Sequence, residues 1–406
     1  MTPIRILFHV THLRRGGGIE SSLLSWLSVL DRERFAPGLS IAYPTDELDA
    51  EFRPRIPADV PIHVLGQAGW LSAQRNRKVT GRIGWLGRIY EDLLLPQVRK
   101  QVFARRVTRI AQDYDLVVDY DMSLVRFCSA LGKPLIGIGH FRFPAPDAIK
   151  PRRQRALAGY YRRYAAIVAI CDAMRVGGET LFPELADRFV TLYPGFDRAD
   201  IVRRANLPVT VQPLPRPYIV SVTRLEESQK DVSSLIRAYA LLVTRQGIAE
   251  DLLIVGQGRH RARLEELACE LGMTHRIIFH GFEANPLPLV RQARMLVLSS
   301  RFEGLPTVLI EGLMLGQVLV ATDCPTGPRE ILDDGRAGLL VPVGDVDALA
   351  AAMLDGLTDD VLRQRLTATA GAHADVFGVA AFRQRLLELV ERVKHVERVK
   401  GIEPSS

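Results

Sequence analysis

The run Ser300-Arg301-Phe302-Glu303-Gly304-Leu305-Pro306-Thr307-Val308-Leu309-Ile310-Glu311-Gly312 places two carboxylates around a glycine and a proline. Proline suits the first turn of a helix, where its missing N–H costs nothing. Pro306 therefore predicts Glu303 in a loop and Glu311 inside the helix that follows. The backbone N–H groups of Gly304 and Leu305 would face a phosphate at the positive end of that helix. Two carboxylates so placed can hold sugar hydroxyls at two depths of a cleft; a capped helix with one exposed glutamate is the plainer alternative.

Three further groups have the chemistry of an anion site. Arg224 and Lys230 lie in Ser221-Val222-Thr223-Arg224-Leu225-Glu226-Glu227-Ser228-Gln229-Lys230, a fork donor and a point charge at a strand's end. That pair suits a diphosphate, and two solvated surface cations would look the same. Val255-Gly256-Gln257-Gly258 follows a strand and precedes a helix. Arg261 fills the third glycine position of a dinucleotide fingerprint, so a tight turn near a nucleotide is the better reading. Arg14-Arg15-Gly16-Gly17-Gly18-Ile19-Glu20 sits between the first strand and a helix. Its glycines allow close backbone approach to an anion at the helix start, or simply a flexible turn.

Two Asp-x-Asp pairs, Asp113/Asp115 and Asp119/Asp121, flank the strand Leu116–Val118. Such pairs can hold a divalent ion against a diphosphate, but a hard cation wants more converging oxygens, so no metal site is expected. Asp119 and Asp121 end their strand and are candidates for orienting an acceptor hydroxyl. His140, in Gly137-Ile138-Gly139-His140-Phe141, is a lone histidine that fits a packed core or a site equally.

These groups need strands and helices to position them, and the chain supplies both. Its 406 residues are 47% hydrophobic and 24% charged, ordinary for a globular protein and long enough for two or three domains. Apolar strands alternate with amphipathic helices, as in Ile4–Val10, Leu39–Tyr43, Leu116–Tyr120, Leu135–Ile138, Ala166–Ile170 and Phe189–Tyr193. The pattern stops at Leu207–Pro217, which carries four prolines, and restarts with Tyr218–Val222, Asp251–Val255, Ile277–His280, Met295–Leu298 and Val318–Thr322. The expected fold is α/β, with two doubly wound Rossmann-like domains, their parallel sheets facing a central cleft. Residues 1–205 form the first domain, 206–217 a linker and 218–379 the second. The last helix, about 380–399, can pack back on the first domain.

The net charge is +7, from 53 Lys+Arg against 46 Asp+Glu. Residues 75–109 hold ten basic and two acidic residues, equal to the whole excess of the first 200 residues. Ile83, Leu86, Tyr90, Leu93 and Leu94 fall at helical spacing beside Trp85, with Arg82, Arg88, Arg99 and Lys100 around them. That pattern fits a helix in an anionic membrane interface, or a helix packed on its own domain. No nucleic-acid recognition module accompanies the charge. Four scattered cysteines without a CxxC pair fit a reducing compartment. The first residues lack the apolar length of a signal peptide, and no stretch is long and apolar enough to span a bilayer. The expected location is cytoplasmic, at the inner face of the membrane.

The second half resembles the nucleotide-binding domain of family 4 retaining glycosyltransferases with the GT-B fold. The resemblance rests on Arg224, Lys230, Val255–Gly258, His280-Gly281-Phe282, Glu303–Glu311, Asp323–Leu332 and Gly338–Pro342. The first half matches more loosely, through its early glycine loop, His140 and Tyr193-Pro194-Gly195-Phe196-Asp197, where the family more often has Asn at position 194. The resemblance implies that Arg224 and Lys230 neutralise a donor diphosphate, Glu311 binds its ribose and Glu303 contacts the transferred sugar. It further implies that Gly17, Gly18, Gly256, Gly304 and Leu305 serve the donor, that Phe282 lies near the base, and that His140 lines the sugar and acceptor. No metal or other cofactor is implied.

The resulting expectation is a transferase that moves a sugar, with retained configuration, from a nucleoside-diphosphate sugar, leaning to UDP, onto a glycan or lipid-linked glycan. The pathway expected is cell-surface polysaccharide or lipopolysaccharide assembly. A UDP-N-acetylglucosamine 2-epimerase shares the architecture, and a silent sugar-nucleotide- or glycan-binding subunit is the non-enzymatic alternative.

Overall fold

The computed structural model describes residues 2–14, 18–67, 84, 85, 87, 95–128, 131–140, 143, 146–208 and 216–399. Gly17, Arg82 and Arg88, most of the proposed interfacial helix and most of the proline-rich linker lie outside them. The chain divides into two compact units: Met1–Gly195 with Phe382–Ser406, and Phe196–Ala381.

The first unit holds the strands β1 (Ile4–Val10), β2 (Phe35–Ile41), β3 (Ile62–Val64), β4 (Leu116–Asp119), β5 (Leu135–Gly139), β6 (Ala166–Ala169) and β7 (Phe189–Thr191). They form one parallel sheet in the order β3-β2-β1-β4-β5-β6-β7. Parallel sheets need both faces covered, which is why these strands are nearly continuous apolar runs. Phe103, Val107, Val117, Leu124, Ile167 and Phe182 belong to the core on one face. Trp26, from the helix Gly18–Val29, packs against Phe8, Tyr120 and Phe382 in a second aromatic group. Phe382 comes from the last helix, Val379–Val399, which is also tied to this unit by Arg383 Nε donating to the Val29 carbonyl (2.6 Å).

The second strand begins four residues earlier than the expected Leu39–Tyr43. Pro37 is accommodated because β3 pairs only with Leu39–Ile41, so no ladder bond is asked of it on that side. The three-residue strand β3 gave no period to read.

The second unit holds β8 (Tyr218–Val222), β9 (Asp251–Val255), β10 (Ile277–Gly281), β11 (Met295–Leu298), β12 (Leu319–Thr322) and β13 (Leu339–Val341). Their order is β10-β9-β8-β11-β12-β13, again all parallel. The helix Arg198–Ala205 belongs to this unit, so the division falls at Gly195/Phe196, ahead of the expected boundary at residue 205. Its anchors explain this: Asn285 Nδ2 donates to the Arg204 carbonyl (2.9 Å), and Arg204 Nη2 donates to Asn285 Oδ1 (3.3 Å). No helix among the described residues is long and apolar enough to cross a membrane.

Candidate functional site

In each sheet the strand order reverses beside its first strand, between β1 and β4 and between β8 and β11. Ligands of open α/β sheets bind outside the carboxyl ends of strands at such a point. In the second unit, the loop after β8 carries Arg224 and Lys230, and the loop after β11 carries Ser299–Pro306.

These two loops are joined through buried charge. Lys230 Nζ donates to Glu303 Oε1 (2.5 Å), and the Ser300 hydroxyl donates to the same oxygen (2.5 Å). Glu303 is 7% exposed, so its charge needs this compensation. Ser299 Oγ donates to the Lys230 carbonyl (3.0 Å), and the Arg301 N–H to the Gln229 carbonyl (2.7 Å). The Thr326 hydroxyl donates to the Glu303 carbonyl, which brings in the loop after β12. Lysine has three N–H groups, so Lys230 can serve Glu303 and a ligand oxygen together. Arg224 is exposed, with Nη2 donating to Gln229 Oε1 (2.9 Å).

The helix Thr307–Met314 starts one residue later than expected. Pro306 is its N-cap, in extended conformation and without a side-chain cap bond, so it is not within the first turn. Gly304 and Leu305 lie just before this positive helix end. Gly327, at φ +88°, packs against them so closely that an added Cβ would stand 2.6 Å from Pro306 Cδ. Glu311 lies inside the helix as expected. Burial raises its carboxyl to about 7, and the nearby Arg204 charge opposes that rise.

Gly256 and Gly258 have a structural reason to be glycine. A methyl at Gly256 would collide with the Thr223 carbonyl, and one at Gly258 with the Leu225 carbonyl; Gly256 also sits at φ +143°. They let the loop after β9 lie against the loop carrying Arg224. Phe282 follows Gly281 (φ +92°) and is 66% exposed.

In the first unit, the His140 ring sits 4.8 Å from the Tyr120 ring, with Nε2 2.7 Å from the Tyr120 carbonyl. A carbonyl only accepts, so Nε2 carries the proton and Nδ1 keeps its lone pair. Burial lowers the imidazole to about 4, so it is neutral at pH 7.

Asp119 and Asp121 separate in role. Asp119 is fully buried and accepts from the N–H groups of Ser123 (3.0 Å) and Leu124 (2.9 Å) and from the Tyr164 hydroxyl (2.7 Å). It organises the turn after β4, which corrects the expectation that it reaches an acceptor. Asp121 Oδ2 accepts from the Thr11 N–H (2.8 Å), and its Oδ1 has no partner. The other pair lies at the opposite end of the strand, where Asp115 accepts from the Arg5 N–H (2.8 Å). No group of three or more His, Cys, Asp or Glu suited to a metal occurs among the described residues.

Arg99 is a second correction. The helix Leu95–Ala111 buries Leu95, Arg99, Phe103, Val107 and Ala111, one residue per turn. Arg99 is therefore on the core face, its guanidinium 5.7 Å from the Tyr43 ring centre, and does not face a membrane. Lys100 and Trp85 are exposed, Trp85 at 72%. Gly18 is the first residue of the helix Gly18–Val29.

Several participants were not singled out in the sequence. Ser299 and Ser300 had a signal, because they end β11 at the side where ligands bind. Arg204 and Asp231 had none, since their neighbours are distant in the chain.

Two doubly wound parallel sheets in this strand order define an α/β protein with the GT-B fold. The structure is similar to that of Anabaena HepE solved in complex with UDP, with TM-score 0.71 and 20% identity, covering 96% of this chain and 100% of that one. It is also similar to a glycosyltransferase from Rickettsia africae, with TM-score 0.73 and 14% identity, covering 97% and 99%. Residues 216–359 match the family model Glycosyl transferases group 1. Among curated relatives is the Campylobacter jejuni N-acetylgalactosamine-N,N'-diacetylbacillosaminyl-diphospho-undecaprenol 4-alpha-N-acetylgalactosaminyltransferase. It is 33% identical over 46% of this chain and 49% of its own length. The lipopolysaccharide core biosynthesis glycosyltransferase LpsE of Rhizobium meliloti is 32% identical over 44% and 50%. The chain thus spans about half the length of the curated relatives it matches.

Proposed function

We propose that this protein is a retaining glycosyltransferase that takes a sugar from a nucleoside-diphosphate sugar, with UDP as the favoured carrier, to a glycan or lipid-linked glycan. The observation that carries the proposal is the Lys230–Glu303 pair beside the uncapped helix Thr307–Met314. A cation and a positive helix end beside two carboxylates suit a diphosphate joined to a sugar.

In this reading Lys230 and Arg224 stabilise the charge that gathers on the departing diphosphate, while Glu303 and Glu311 hold hydroxyls of the sugar and the ribose. The bond from the anomeric carbon to phosphate oxygen breaks, and the bond to the acceptor oxygen forms on the same face. The acceptor proton passes to the leaving phosphate. Electrostatic stabilisation and positioning supply the rate, without a metal or a covalent sugar–enzyme step. The first unit binds the acceptor, with neutral His140 beside it. A lipid-linked acceptor would place the protein at the inner face of the membrane, with exposed Trp85 and Lys100 among the contacts.

The test is calorimetric titration with UDP, GDP and ADP, without added metal. Binding of one diphosphate, abolished in Lys230→Ala and Glu311→Ala, supports the assignment. Absence of binding with or without magnesium overturns it.

A further inference from the structure

Among the described residues, the Arg224 guanidinium has a single hydrogen-bond acceptor, Gln229 Oε1, 2.9 Å from its Nη2. The other end of the same amide reaches a different loop, where Gln229 Nε2 donates to the Phe302 carbonyl (3.4 Å). The Gln229 carbonyl in turn accepts from the Arg301 N–H (2.7 Å). One residue thus ties Arg224, in the loop after β8, to the loop after β11 that carries Glu303. Gln229 is itself fixed in the one-turn helix Glu227–Lys230, where its N–H donates to the Glu226 carbonyl (3.1 Å).

The residue type suits this place. Arginine only donates and a carbonyl only accepts. A side-chain amide satisfies both, with its oxygen toward Arg224 and its nitrogen toward Phe302. A carboxylate would set an oxygen against the Phe302 carbonyl and cancel the Arg224 charge. The two carboxylates nearest in sequence are engaged elsewhere. Glu226 Oε1 accepts from Arg259 Nη2 (2.7 Å) and Ser228 Oγ (3.0 Å), and the Glu227 carboxylate accepts from the N–H and hydroxyl of Ser233. Arg224 is therefore oriented by a neutral group and keeps its charge for a ligand. Its side chain is exposed, and an exposed arginine loses rotamer freedom when it grips an anion. Orienting it in advance lowers that cost.

We propose that Gln229 is a positioning residue for a diphosphate: its amide holds the Arg224 guanidinium in place beside the loop after β11, without touching the ligand. That the ligand is a donor diphosphate rests on the glycosyltransferase reading; the hold on Arg224 does not.

The experiment is a double-substitution cycle on the full chain, with UDP affinity read by calorimetry. Gln229→Ala should raise the Kd for UDP about tenfold, as for loss of a hydrogen bond to a charged group. In an Arg224→Ala background, Gln229→Ala should change the Kd by less than about twofold, since the group it orients is gone. Unchanged affinity in the Gln229→Ala protein overturns the proposal. An equal loss in both backgrounds overturns it too, because Gln229 would then support the loops and not Arg224. A second readout uses no nucleotide: nitrogen-15 relaxation of the Arg224 side-chain Nε, assigned by its disappearance in Arg224→Lys. That nitrogen should be ordered in the unsubstituted protein and mobile in Gln229→Ala; equal mobility in both overturns the proposal. Failure of UDP, GDP and ADP to bind the unsubstituted protein would refute the donor reading alone, and the relaxation measurement would still decide the hold on Arg224.

Discussion

Lys230 Nζ lies 2.5 Å from Oε1 of Glu303, although the two residues are 73 positions apart in the chain. Their side chains are 13% and 7% exposed, so each is the other's main electrostatic compensation. Removing one charge strands the other. Lys230→Ala should weaken UDP binding by about 100-fold or more, the scale for one partner of a buried hydrogen-bonded pair. Glu303→Gln should keep UDP within a few-fold, because its contact in the proposed reading is with the sugar, and lose turnover with the nucleotide sugar. Calorimetry and a product assay separate the two effects.

Asp231 should position Lys230 without touching substrate. It adopts φ +46°, a conformation that side chains other than glycine, Asn and Asp rarely take. It is held there as Arg301 Nη2 donates to its Oδ1 (2.8 Å). Asp231→Ala should raise the Kd for UDP about tenfold through the displaced turn, at a strain of about 1–3 kcal/mol. Asp231→Gly should recover most of the affinity, since glycine takes this conformation freely. Equal losses in both variants would show that the carboxylate matters more than the backbone.

Glu311 should make nucleotide binding depend on pH. Its carboxyl is raised from 4.5 to about 7, with burial as the main cause. In the proposed reading ribose hydroxyls donate to the ionised form, so UDP affinity should fall about tenfold per pH unit below 7. Glu311→Gln should bind more weakly and lose that slope. Folding stability has the opposite sign: the folded state holds this proton where the unfolded chain has released it. The contribution is complete below about 4.5 and is lost as pH rises through about 7. Denaturant titration of Glu311→Gln against the unsubstituted protein should show that difference.

Gly256→Ala should destabilise the second unit by about 2 kcal/mol or more, from a collision with the Thr223 carbonyl and a strained φ of +143°. Chemical denaturation measures it. Gly272→Ala is the comparison, because it shares a positive φ (+72°) but has open space around it, so its loss should be smaller.

Asp119→Ala should destabilise the first unit by about 3 kcal/mol, because two N–H groups and the Tyr164 hydroxyl lose their acceptor. Asp121→Ala removes one such bond, from Thr11, and should cost about 1 kcal/mol. Similar melting shifts for the two would contradict their separation into a structural and an open carboxylate.

Much of this protein was legible along the chain, because strand alternation and turn chemistry are local. The apolar runs marked most of the parallel strands, and the segment Glu303–Glu311 showed a loop carboxylate followed by a helical one. Spacing also placed Arg224 and Lys230 after β8. The tertiary structure alone decided what depends on distant neighbours. It joined Lys230 and Ser300 to Glu303, set Arg204 near Glu311, and turned Asp119 inward while leaving Asp121 Oδ1 without a partner. It also put Arg99 on the core side of its helix. The reason is physical: burial and pairing set the energy of a charged group, and both are made by residues that meet only when the sheet closes.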